Sequence, residues 1–241
     1  MAEGRDVTVH FPIRGGLLGA PKVLRAVDGV SFAVRQGETL GIVGESGSGK
    51  STLARAVLNL LPATAGAVTL MGRDITHADR EAMRAARKDL QIVFQDPLAS
   101  LDPRMTIGTS IAEPLTVFRP GLARAAREAE ARAMMARVEL DPALINRYPH
   151  ELSGGQNQRV GIARAMILKP RLVICDEAVS ALDVGVRAQI IDLLIQLQKD
   201  MGLAMIFISH DLAVVREISH RVLVLYLGRV MEMADRDRIW Q

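Results

Sequence analysis

Two hydrophobic periodicities divide the chain. Apolar and polar residues alternate over residues 6–11 and 30–34, the period of two expected of strands with one covered face. At 40–43, 90–94, 172–175, 204–208 and 221–225 the apolar runs are nearly unbroken, as in parallel strands covered on both faces. Helical spacing fills the intervals at 51–58, 79–89, 122–140, 185–199 and 212–218, and residues 68–72 read as one more strand. Alternation of buried runs with helices predicts βαβ units, whose right-handed crossovers bring ligand-binding loops to the C-terminal strand ends. The alternating segments predict a small antiparallel sheet, and the Gly and Pro residues within 12–22 predict a loop between its first two strands.

From 96 to 149 the texture changes. Asp102-Pro103, Glu113-Pro114 and Arg119-Pro120-Gly121 punctuate a region that otherwise reads as helix. Within it Arg124, Glu128 and Arg132, four apart, predict surface pairs, and Met134, Met135 and Val138 a packed face. The expected fold class is α/β, with an all-helical lobe at 96–149 inserted between 1–95 and 150–241.

The candidate chemistry centres on Gly44-Glu45-Ser46-Gly47-Ser48-Gly49-Lys50-Ser51-Thr52, which fits the phosphate-loop pattern G-x-x-x-x-G-K-[ST]. A buried strand precedes it and a helix follows. A helix start offers unpaired N–H groups and the positive end of a dipole, and glycines let the backbone curl so that its amides face phosphate oxygens. Lys50 is placed to reach the β and γ phosphates and the Ser51 hydroxyl to ligate Mg²⁺. Further along, the apolar strand ending in Asp176-Glu177 supplies an acidic residue for the metal side, Asp176, and a candidate base for the attacking water, Glu177. Such a strand end recurs in many sheets; the phosphate loop upstream gives it meaning. Leu152-Ser153-Gly154-Gly155-Gln156 before an apolar helix is a second anion-binding geometry, although an isolated Ser-Gly-Gly reads equally as a plain helix cap.

Composition narrows the classes. Of 241 residues 49% are hydrophobic, ample for a core. Thirty Lys and Arg against 27 Asp and Glu leave +3, and aromatics are 3%, so neither a nucleic-acid footprint nor a base-stacking platform is expected. Cys175, the single cysteine, excludes an internal disulfide framework and reads as a small buried hydrophobe in a chain suited to a reducing compartment. No signal-peptide core opens the chain, and no apolar run of about 18 residues occurs.

The ordered set of phosphate loop, Gln95 after a strand, L-S-G-G-Q at 152–156, Asp176-Glu177, S-A-L-D at 180–183 and His210 after a strand resembles the ATP-binding cassette of ABC transporters over nearly the whole chain. The resemblance implies a RecA-like core with an antiparallel β subdomain, ATP and Mg²⁺ as cofactors, and two cassettes packed head to tail. By position, Lys50 and Ser51 hold phosphate and metal, Gln95 touches metal and water, Asp176 faces the metal, Glu177 is the general base and His210 braces the γ-phosphate. Ser153, Gly154, Gly155 and Gln156 complete the other cassette's site, Asp183 links the two sites, and Phe11 stacks on adenine. Phe11 reads equally as a core residue of the antiparallel sheet, and a packed core is the alternative for His210.

V-F-Q-D-P-L-A-S-L-D-P-R at 93–104, V-S-A-L-D-V at 179–184 and F-I-S-H-D-L at 207–212 are similar to the ATPase subunits of bacterial importers for oligopeptides, dipeptides and nickel. That group implies membrane permease subunits, a helix of which docks near 95–104, an external substrate-binding protein, and a place on the cytoplasmic face of the bacterial inner membrane. Three departures stand out. Ala178 replaces the usual Pro, Asn157 replaces the usual basic residue, and the chain stops at Trp240-Gln241 where such subunits usually continue, as a truncated chain, half of a tandem protein or a short member would. A nickel or metal-chelate importer of the same group, an exporter or lipoprotein-release cassette and a soluble ATPase acting on nucleic acid or ribosomes are the other readings. The segments at 96–104 and 179–184 disfavour the exporter, and the lack of coiled-coil arms and zinc cysteines the soluble enzyme.

Overall fold

The structure, a computed structural model, describes residues 1–13 and 22–240. In chain order its elements are β1 (Ala2–Ile13), β2 (Lys22–Val34), β3 (Thr39–Val43), α1 (Lys50–Val57), β4 (Ala65–Leu70), β5 (Arg73–Asp74), α2 (Arg80–Ala86) and β6 (Leu90–Val93). There follow α3 (Ile107–Phe118), α4 (Arg124–Arg137), short 3₁₀ turns at Pro142–Asn146 and Pro149–Glu151, α5 (Gly154–Met166), β7 (Leu172–Asp176) and α6 (Val184–Met201). The remainder is β8 (Ala204–Ile208), α7 (Leu212–Ile218), β9 (Arg221–Tyr226), β10 (Arg229–Asp235) and α8 (Arg236–Ile239). The fold is α/β, and the chain divides into two compact units, Met1–Arg87 with Ala204–Gln241, and Lys88–Leu203.

In the first unit the antiparallel sheet runs β2-β1-β4-β5. Its inner face carries Val7, Val9, Val27, Val30 and Phe32, all buried. Strands β1 and β2 are longer than the alternation indicated: Pro12 pairs with Val23 and Ile13 with Lys22. Pro12 is tolerated because β4 leaves β1 at the Thr8–Ala65 pair, so beyond it β1 is an edge that needs no second N–H partner. The rest of the expected 12–22 loop lies outside the described residues. The parallel strands of this unit are β9, β3 and β8, with β3 between the other two and β10 antiparallel on β9. All five residues of β3 are buried. Gly41 lets α7 lie against β3, since a β-carbon there would fall 2.4 Å from Ser219 Oγ and 2.5 Å from Val215 Cγ1.

In the second unit β6 and β7 are parallel neighbours, in register from Leu90–Leu172 to Val93–Cys175. Helix α3 continues through Pro114, where the sequence predicts a break. A helix-interior proline costs about 3 kcal/mol, but Ile107, Ile111 and Leu115 on the same helix are fully buried, at about 1.5–3 kcal/mol each. Burial prevails. Met134, Met135 and Val138 form the packed face expected of them, and Arg132 pairs with Glu128 at 2.9 Å. Arg159 on α5 reaches the end of α4, donating to Val138 O at 2.7 Å and to Glu139 at 2.9 Å.

Candidate active site

The loop from β3 to α1 is shaped by what surrounds it. A β-carbon at Gly44 would lie 2.1 Å from Leu225 O, and one at Gly49 2.1 Å from Ala26 O, so the chain threads between two backbones at points where only glycine fits. Gly49 also holds φ at 105°, a conformation other residues rarely adopt. Gly228 N donates to Ser48 O at 2.9 Å and Asp28 N to Gly228 O at 2.8 Å, fastening the loop to the β9–β10 turn and to β2. The Lys50 ammonium donates to Gly44 O at 2.7 Å and Glu45 O at 2.8 Å. Its side chain is buried, while Glu45, Ser46 and Gly47 are exposed, Ser48 is buried, and Ser51 and Thr52 are half-buried. No acidic side chain occupies the first turn of α1, so the helix does not neutralise its own positive end.

Strand β8 runs in register with β3, Ile42 against Ile208, and Ser209 N donates to Ile42 O at 3.2 Å. His210 therefore emerges at the strand end from which Gly44 also leaves. It is exposed, which excludes the packed-core alternative; the neighbouring Asp211 caps α7 by accepting from Ala213 N and Val214 N. Phe11, opposite Leu24 on β2, is 36% exposed and is not a core residue.

Sequence reading missed a supporting cluster. Asp28 Oδ2 accepts from Arg229 Nη2 at 2.8 Å and Nε at 3.0 Å, Asp28 Oδ1 lies 3.3 Å from His10 Nε2, and Arg25 is 3.6 Å away. The Arg229 hydrogen bonds, with lesser help from His10 and Arg25, hold the Asp28 carboxyl below its ordinary pKa. The only sequence signal was a glycine, Gly228, just beyond an apolar strand.

The second unit carries the other expected residues. Because Val93 and Cys175 are in register, Gln95 and the Asp176-Glu177 pair leave adjacent strands at the same end, Gln95 exposed and both acids half-buried. Glu177 has φ 50°, and its carbonyl accepts from Ser180 N at 3.1 Å and Ser180 Oγ at 2.9 Å, closing a tight turn. Cys175 is fully buried and its thiol is pushed up to about 12, first by desolvation and then by the adjacent Asp176 charge. Ser153 opens α5 with a reciprocal cap: its Oγ accepts from Gln156 N at 3.3 Å, and its N–H donates to Gln156 Oε1 at 2.9 Å. Asp183 caps α6 through Val186 N at 3.0 Å. A β-carbon on Gly155 would lie 2.5 Å from Val186 Cγ1, so the openings of α5 and α6 touch. A cavity of about 560 Å³ opens between α3, α4 and the Pro142–Asn146 turn, with Thr109, Glu113, Arg124, Arg127 and Ile145 in its wall.

A family model described as ABC transporter matches residues 27–180, which include the 44–52 loop, Gln95, the 152–156 segment and Asp176-Glu177. The chain belongs to the ABC transporter family. This cassette is 55% identical, over its whole length and 73% of the relative's, to the oligopeptide transport ATP-binding protein OppF of Salmonella typhimurium. It is 51% identical over 98% of its length to the glutathione import ATP-binding protein GsiA of Escherichia coli, of which it covers 38%. Among solved structures, the dimeric post-hydrolysis state of the ATP-binding cassette MJ0796 bound to ADP and Pi superposes with a TM-score of 0.86 at 28% identity, covering 98% of this chain and 99% of that one. Among the described residues no helix is long and apolar enough to cross a membrane.

Proposed function

We propose that this cassette binds and hydrolyses ATP as the motor subunit of an importer for peptides or closely related small solutes. The observation that carries the reading is the 44–52 loop, where a buried lysine folds its ammonium onto the loop's own carbonyls at the positive end of a helix that carries no acid in its first turn. The names of the OppF and GsiA relatives support the solute class, since glutathione is itself a tripeptide.

In this reading backbone amides of the 44–52 loop, other than that of Ser48, which donates to Glu45 O at 3.1 Å, bind phosphate oxygens, and Lys50 neutralises the β and γ phosphates. Ser51, Gln95 and Asp176 offer the oxygen donors that Mg²⁺ takes beside substrate phosphates, a single carboxylate among them. The ion, when bound, offsets phosphate charge. Glu177 accepts the proton of the water that attacks the γ-phosphorus, and His210 donates to the γ-phosphate from the end of β8. Phe11 offers its exposed ring to adenine.

The partners proposed are a second cassette, identical or related, and transmembrane permease subunits fed by a substrate-binding protein, with the cassette on the cytoplasmic face of the membrane. Residues 153–156 of each cassette then face the other's nucleotide, and Asp183 lies at their boundary. The segment at 95–104 is the proposed seat of a permease helix.

Phosphate release from Mg-ATP tests the motor assignment, with Lys50→Ala as control. Light scattering of the Glu177→Gln variant with ATP, alone and with a related cassette, tests the pairing. Hydrolysis that needs Lys50 and dimers that need ATP are expected; failure of the wild-type chain to bind ATP would overturn the reading.

A further inference from the structure

Asn157 stands one turn into α5, where the sequence shows a departure and no role. It is completely buried. Its Nδ2 lies 2.9 Å from Pro149 O, 3.2 Å from Leu152 O and 3.2 Å from Ser153 O. An amide has two protons, so three carbonyls share them. These carbonyls belong to three consecutive pieces of backbone: the Pro149–Glu151 turn, the extended Leu152 and the cap residue Ser153. Two of them also accept backbone bonds, Pro149 O from Leu152 N at 3.2 Å and Ser153 O from Asn157 N at 2.9 Å.

The asparagine carries two local costs here. Its Oδ1 is buried without a partner, which is destabilising, and asparagine is a poor helix former. A small apolar residue would avoid both penalties. What only the amide supplies is a pair of donors joining the 149–151 turn to the first turn of α5.

We infer that Asn157 is a positioning residue for the 152–156 segment, fixing the direction in which Ser153 Oγ and the amides of Gly154 and Gly155 point. The inference rests on the proposed function, in which those groups face the nucleotide of another cassette. Asn157 acts through Ser153 and does not touch nucleotide.

The test uses the full chain with two substitutions. Asn157→Asp keeps the shape but turns an oxygen toward the three carbonyls. Asn157→Ser leaves a hydroxyl able to bond the carbonyl one turn back, Ser153 O, and too short to join Pro149. Amide hydrogen exchange is followed over 149–157 and 40–58, together with affinity for a fluorescent ATP analogue and kcat and KM for Mg-ATP. For Asn157→Asp the expected result is exchange about tenfold faster at 149–157, unchanged at 40–58. Its nucleotide affinity should stay within about twofold, with kcat about tenfold lower, and Asn157→Ser should fall between the two in exchange and kcat. Unchanged exchange at 149–157 would overturn the inference, and so would equal loosening at 40–58, which marks a general structural role. If the wild-type chain hydrolyses no ATP, the motor reading falls, and the exchange measurement still decides whether Asn157 holds the segment. Should Asn157→Asp fail to fold, Asn157→Ser is judged by the same exchange and kcat criteria.

Discussion

Gly155 and Val186 share one small volume: a β-carbon on the first would fall 2.5 Å from Cγ1 of the second. The segment that opens α5 is thereby packed on the turn that follows Asp183. Gly155→Ala is expected to destabilise the protein by about 1–3 kcal/mol, the usual magnitude of overpacking, and to slow ATP hydrolysis. Adding Val186→Ala makes room and should restore most of the stability, a non-additive cycle readable by urea titration. If the two losses simply add, the contact is not their cause.

Glu177, the proposed general base, sits on a left-handed backbone, φ 50°. Glu177→Gln should bind ATP and hydrolyse it at least about a hundredfold more slowly, as expected when a general base is removed. Glu177→Gly should be equally inactive yet more stable. The left-handed conformation costs a side-chain-bearing residue about 1–2 kcal/mol, against about 0.5–1 kcal/mol of added chain entropy lost by glycine. Chemical denaturation checks the net gain of about 0–1.5 kcal/mol, and a less stable glycine variant would show that the turn needs the side chain.

The Asp28–Arg229 bond predicts a pH dependence with a definite sign. The Asp28 carboxyl is held below its ordinary 3.8, chiefly by Arg229, so the contribution is complete above that value and is lost as pH falls through the lower folded one. Arg229→Ala should therefore be less stable than the parent at pH 7, with the gap narrowing as the pH is lowered below 3.8. Denaturation midpoints followed from pH 7 downward decide it, and a gap of constant size would place the effect of Arg229 outside this ion pair.

Cys175, buried and with its thiol pushed up to about 12, should resist alkylation. At pH 8 about one molecule in ten thousand would carry a thiolate, against roughly a quarter for a free cysteine. Iodoacetamide should label the native protein hardly at all and the urea-unfolded protein fully, as read by mass spectrometry. Rapid native labelling would mean that β7 opens readily.

Much of this was legible in the residues, and the limits have physical causes. Buried runs mark elements strongly, so β3, β7 and β8 were found, while α6 continues past the expected end at 199 to Met201, where the left-handed Gly202 caps it. Strand β10 was missed because it is an edge with most side chains exposed and little alternation. The helix through Pro114 was misread because a local penalty says nothing of the burial that overrides it. For Phe11 and His210 two readings stayed open because periodicity assigns a side chain to a face without saying which faces are covered. Exposure settled both against the core. Asn157 was a bare departure until three carbonyls could be seen around it.

The fastening of Ser48 to Gly228, and of Asp28 to an arginine 201 positions away, bears on how the protein is made. Residues 44 and 228 leave a ribosome working at about 5–20 residues per second roughly 10–40 s apart. During that interval the glycine loop lacks one of its walls. A loop walled on that side by Leu225 and Gly228 is therefore complete only in a chain whose distant strands have already come home.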